Sequence, residues 1–195
     1  MNRRRFLTTT ASGAVASLPT AGTAATTRER SPTLLTITGA IGKTNRPPFD
    51  PARDILMGKH GVKFDKAYAI DYPTLAGLPS KRMNVTLEYD RKRHELSGPL
   101  LTDVLALASA ATADASTLHM RAVDGYAPTL ALADARRYQY IVALRLDGQP
   151  LALGGLGPLW AIYEADRFPE IAAKPVDQRF ATCPWAMYHV EVKSA

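Results

Sequence analysis

Four histidines and one cysteine are the side chains here best suited to metal or nucleophilic chemistry, and neither set is arranged for it. His60, His94, His119 and His189 are scattered. None has a second ligand-type residue at metal-site spacing on an obvious helix face, so no structural metal is expected. Cys183 stands alone, which excludes an internal disulfide and any multi-cysteine metal site, and a lone thiol of this kind reads as buried rather than reactive. Arg145 alternates away from the apolar face of "YIVALRLDG". It is either a cation placed to meet an anion or a solvated surface arginine. Trp160 and Trp185 read as core aromatics.

The charge balance narrows the partners. The formal charge of +6 falls to +3 without Arg3, Arg4 and Arg5, and no basic stripe with interleaved aromatics occurs in the rest. A nucleic-acid partner is therefore not expected. Those three arginines open "MNRRRFLTTTASGAVA", where a basic start, a weakly apolar run and a small-residue exit follow the plan of a secretory signal. Arg3-Arg4 ahead of Phe6-Leu7 matches the twin-arginine pattern, whose pathway exports folded proteins to the periplasm. The expected division is a signal over 1–24, a linker over 25–33 and a domain over 34–193. The apolar run is too short for a permanent membrane span after cleavage.

About 170 residues then remain, enough for one domain with a real core. "LLTITGAIG" at 34–42 predicts a strand, and residues 50–83 predict a long, partly helical excursion with short helices in "DPARDILMGKHG" and "YPTLAGLPS". "MNVTLEY" at 83–89 predicts a strand with "RHELSG" as its return. In "GPLLTDVLALASAA", Pro99 is placed at the first helical position, and Leu101, Val104, Leu105 and Ala108 share a face. Asp124-Gly125 and Asp147-Gly148 each close a hairpin. "GPLWAIYE" and "WAMYHVEVK" predict two further strands, separated by a polar helical segment. Strands with inserted helices, in mixed order and without repeats, make this an α+β domain of mixed β-sheets.

The order of these segments carries a family likeness. "AVDGYAPTLALADARRYQYIVALRLDGQPLALGGLGPLWAIYEAD", flanked by "SGPLLTDVLALA" and "CPWAMYHVEV", resembles the molybdopterin-binding domain of the sulfite oxidase superfamily over roughly 34–193. The resemblance implies that fold and a crevice faced by Asp124 and Tyr126. It also implies a strand ending in the cysteine thiolate that ligates molybdenum, followed by Gly-Asn and Arg. In "VTLEYDRK" that position holds Tyr89, and Asp90-Arg91-Lys92 follows. A phenol with a solution pKa near 10 is a harder and mostly protonated ligand. Nothing in the motif maps Cys183 onto the ligand site.

Tyr89, Asp124, Tyr126 and Arg145 are accordingly the candidate cofactor-site residues, with no metal ligand and no assigned catalytic residue. The reading is a degenerate exported member that binds a small molecule or a periplasmic protein, with no cofactor expected. The alternative is a molybdopterin-dependent oxidoreductase with Tyr89 at the cysteine-ligand position, the redox chemistry belonging to the cofactor.

Overall fold

The computed structural model describes residues 31–194. The signal segment and most of the linker expected from the sequence lie outside the described residues. Strand β1 (Thr33–Gly39) buries Leu35 and Ile37 completely and is the second strand of a five-stranded sheet. After a turn-rich stretch, the short helix α1 (Ile55–Lys59) buries Met57. Strand β2 (Ala67–Asp71) follows and pairs antiparallel with β1, Thr36 opposite Ala69. The sequence pointed only to a helical excursion across 50–83. Five residues flanked by turn formers are too short to show a period, and β2 is extended because β1 offers it an edge. Helix α2 (Tyr72–Ala76) begins at once, since the Asp71 carboxylate accepts the Thr74 N–H at 3.0 Å and Pro73 occupies the first turn.

Strands β3 (Ser80–Thr86) and β4 (Arg93–Pro99) form a hairpin in register from Ser80↔Pro99 to Thr86↔Arg93. Two expectations change here. The strand predicted to run to residue 89 ends at Thr86, because Asp90 accepts the Lys92 N–H at 2.9 Å and Arg91 adopts a left-handed φ of 58°. Tyr89 therefore sits in the connecting turn. Pro99 ends β4 rather than starting a helix; opposite Ser80 it occupies a ladder position. Helix α3 (Leu101–Leu107) starts beyond it, with the Leu101 N–H bonded to the Tyr140 carbonyl at 2.8 Å. Leu101, Val104, Leu105 and Ala108 are all buried, as their spacing requires.

Strand β5 (Thr117–Ala122) returns through the Asp124-Gly125 turn to β6 (Thr129–Ala131), and Gly125 takes a φ of 92° that favours glycine. Helix α4 (Leu132–Arg137) leads to β7 (Ile141–Ala143), which is buried on both faces. β8 (Arg145–Leu146) and β9 (Gln149–Pro150) are joined through Asp147-Gly148. β10 (Trp160–Ile162) pairs with β7, and a segment of short turns containing α5 (Pro169–Ala172) precedes the last strand, β11 (Met187–Lys193).

The main sheet runs β2-β1-β11-β5-β6, with β1 and β11 parallel and the other pairs antiparallel. A four-stranded sheet, β3-β4-β8-β9, and the β7–β10 pair complete an α+β architecture. The four-stranded sheet and β7 meet closely at Gly98, where a Cβ would lie 2.0 Å from the Val142 carbonyl oxygen. One continuous apolar cluster, from Leu35 on β1 to Trp160 on β10, underlies all three sheets. Within it, His189 on β11 is fully buried, its Nε2 2.9 Å from the Thr38 hydroxyl. Burial pushes its pKa down to about 3.

Candidate functional site

Three chain segments meet around a cavity of about 290 Å³. The β3–β4 turn brings Glu88 and Tyr89, the β5–β6 turn brings Asp124 and Tyr126, and the stretch before β11 brings Asp177, Phe180, Cys183 and Trp185. Trp160 on β10 closes the inner side. Each segment is pinned locally. The Tyr126 N–H donates to the Asp124 carboxylate at 2.9 Å, an Asx turn, while the Ala122 N–H donates to the Tyr126 carbonyl at 2.9 Å. The Tyr126 hydroxyl donates to the Ala181 carbonyl, so its ring spans the cavity edge from one segment to the other.

The polar atoms of the inner side have protein partners. The Trp160 indole N–H donates to the Cys183 carbonyl at 3.0 Å. The Cys183 thiol points its weak donor at the Tyr140 hydroxyl, 3.9 Å away, and that hydroxyl lies 2.6 Å from the Thr182 hydroxyl. Burial pushes the Cys183 thiol up to about 12. A thiol so placed is protonated at neutral pH and is neither nucleophile nor soft ligand.

The outer side is held by a clamp that sequence reading did not reveal. His94 on β4 stands between Asp147 (Nδ1 to Oδ2, 2.6 Å) and Asp90 (Nε2 to Oδ2, 2.9 Å). The two carboxylates, Asp147 first, raise the His94 pKa. The clamp joins the turn carrying Glu88 and Tyr89 to the β8–β9 turn, and Asp147 also accepts the Glu95 N–H at 2.9 Å. Tyr89 is 56 % exposed. Its hydroxyl lies within reach of the Glu88 carboxylate and the Trp185 indole, and desolvation with the Glu88 contact pushes its pKa up to about 12. Desolvation also raises Tyr126. Both phenols stay neutral across the physiological range.

Three of the four residues singled out from the sequence thus share one cavity. Arg145 does not. It is exposed on β8, its guanidinium donating to the Gly148 carbonyl at 3.1 Å, beside a separate depression of about 120 Å³ lined by Ser80, Ser97 and Leu144. Trp160 is a core residue as expected and a cavity wall as well. Glu88, Asp177 and Cys183 were not singled out for the cavity. Glu88 was within reach of sequence reasoning as the neighbour of Tyr89. Cys183 and Asp177 arrive through tertiary packing alone.

No protein-family model matches the chain, and no curated protein matches its sequence. Among solved structures, the chain is similar to the sulfane dehydrogenase SoxCD from Paracoccus pantotrophus, with a TM-score of 0.54 and 10 % sequence identity. The alignment covers 83 % of this chain and 38 % of that one. The chain has a sulfite-oxidase-like fold.

Within this sulfite-oxidase-like domain the cavity can be tested against a molybdopterin. The cofactor's phosphate calls for arginine, lysine or backbone amide donors, and its metal for a soft anionic ligand. The lining residues instead include three carboxylates, from Glu88, Asp124 and Asp177, and no lysine or arginine. Its one thiol is held protonated. These residues do not fit the group. Among the described residues no cluster of three or more histidine, cysteine or acidic side chains is placed to hold a metal ion, and no helix is long and apolar enough to cross a membrane.

Proposed function

We propose that this sulfite-oxidase-like domain is an exported binding domain that keeps the family crevice and uses it for a small molecule, without molybdenum. The observation that supports this reading most is the lining itself: neutral phenols and carboxylates stand around a protonated thiol, where a pterin-bound metal needs a thiolate and cations. A fold does not fix its chemistry, and the loss of a soft ligand removes redox function before it removes the pocket. Export rests on Arg3-Arg4 preceding Phe6-Leu7. Replacing both arginines by lysine is expected to block export in cells with a working twin-arginine system; unchanged export would assign the segment to the ordinary secretory route.

The metal decides the main reading. Protein exported by its own signal from molybdenum-replete cells is expected to contain molybdenum far below one atom per chain. Near-stoichiometric metal would overturn the binding-domain reading in favour of the oxidoreductase alternative.

A further inference from the structure

We propose that the crevice selects a small organic cation, an amine or quaternary ammonium head on a short apolar body. The inference rests on the binding-domain reading above and adds the class of ligand. Five aromatic side chains, Tyr89, Tyr126, Trp160, Phe180 and Trp185, line the same cavity as the carboxylates of Glu88, Asp124 and Asp177. Aromatic faces attract cations through their quadrupole, most strongly when the site is partly desolvated, and nearby carboxylates add a longer-range pull. An anion would meet the opposite field, and a neutral apolar ligand would leave the carboxylates without gain.

The guanidinium nearest the adjoining depression is already engaged. Neutral Tyr89 and Tyr126 contribute ring faces without phenolate charge. Arg179, which flanks the adjoining depression, is fully used: it donates to the Asp166 carboxylate at 2.8 Å and to the Lys174 and Ala172 carbonyls at 2.9 and 2.6 Å. Asp177 has no such partner among the described residues and lines the cavity. The volume of about 290 Å³ lies just below the ligand-pocket range of about 300–1,000 Å³, which suits a head group with a few carbons.

The experiment exploits the protein's own reporters, because Trp160 and Trp185 are its two tryptophans and both line the crevice. Full-length mature protein is titrated with choline, with its uncharged carbon isostere 3,3-dimethylbutan-1-ol and with sulfite, following tryptophan fluorescence. Saturable binding of choline, with the isostere weaker by about tenfold or more, is the expected result. The triple variant Glu88→Gln, Asp124→Asn, Asp177→Asn keeps the side-chain shapes on an exposed rim and is expected to lose that preference while still unfolding cooperatively. Equal binding of choline and the isostere, preference for sulfite, or no saturable response to choline would each overturn the cation assignment. Molybdenum content, measured on the same preparation, separates that failure from failure of the binding-domain reading, since an empty and cation-indifferent crevice contradicts only the ligand class.

Discussion

The two sides of the crevice are built from different material. Its inner side, Trp160 and Cys183 backed by Tyr140, is buried in the main core: the Trp160 indole N–H is bonded to the Cys183 carbonyl, and the Cys183 thiol faces the hydroxyl of Tyr140 just before β7. Its outer side, Glu88, Tyr89, Asp124 and Tyr126, hangs on two turns, with Tyr89 and Tyr126 56 % and 47 % exposed. Packing fixes the first set, because any change there opens a cavity or strands a polar group. The second set is fixed by Asx turns, the His94 clamp and the Tyr126 hydroxyl on the Ala181 carbonyl rather than by core packing, so residue type there can change with little cost to the fold. A domain of this design can exchange its ligand at the rim and keep its architecture.

The largest expected effect lies on the inner side. Trp160→Ala should cost about 3–5 kcal/mol in urea unfolding, whereas Tyr89→Ala should cost about 0.5 kcal/mol or less. Comparable losses from the two would erase the distinction between core wall and rim.

The histidines sharpen it through pH. His189, buried in the main sheet against Thr38, has a folded pKa of about 3 against about 6.5 unfolded, so between these values the unfolded chain binds more protons. Stability should fall as pH drops from about 6.5 towards 3, by at most about 1.4 kcal/mol per pH unit, and His189→Gln should flatten that slope. His94 has the opposite sign: its raised folded pKa gives stability that is full below about 6.5 and is lost as pH rises through the folded value. His94→Gln should remove that small alkaline loss in thermal melts between pH 6 and 9. A slope of the same sign for both histidines would contradict the assignment of one to the core and the other to a solvated clamp.

Cys183 gives a kinetic version of the comparison. Its thiol should react with an aromatic disulfide reagent only when the chain opens, so labelling should accelerate steeply with urea. Rapid labelling of the folded protein would place the thiol on the accessible side. The smallest effect is at the rim: Asp124→Asn keeps the acceptor for the Tyr126 N–H and should shift stability by less than about 0.5 kcal/mol, checked by the same urea titration.

What was readable in the sequence divides along the same line. Local chemistry was plain: the Asp124-Gly125 and Asp147-Gly148 turns and the shared face of Leu101, Val104 and Leu105 all carry their signal within a few residues. The strand β2 was not readable, because its extended form depends on an edge of β1 some 30 residues away in sequence. The early end of β3 at Thr86 was hidden because Leu87 to Tyr89 continue a strand-like pattern, while the Asp90–Lys92 turn decides otherwise. Of the site, Tyr89, Asp124 and Tyr126 came from the family likeness, which locates turns. The approach of Cys183 and Asp177 to them is set by how the pre-β11 segment packs on β10, and no local pattern encodes that. Arg145, chosen for its alternation, shows the converse: the pattern correctly puts it outside the apolar face without saying which cavity lies nearby.

The central claim is that the rim does not suit a pterin-bound metal, and the variant Tyr89→Cys tests it most directly. The substitution places a thiol at the turn, leaving Glu88, Asp124 and Asp177 in place. Molybdenum and pterin are measured together in the variant, exported from molybdenum-replete cells by its own signal. The account predicts that both remain far below one per chain, because a single thiol does not supply cations for the phosphate. Recovery of near-stoichiometric metal and pterin in Tyr89→Cys would contradict it, showing a crevice that had kept its cofactor contacts and lost only the ligand.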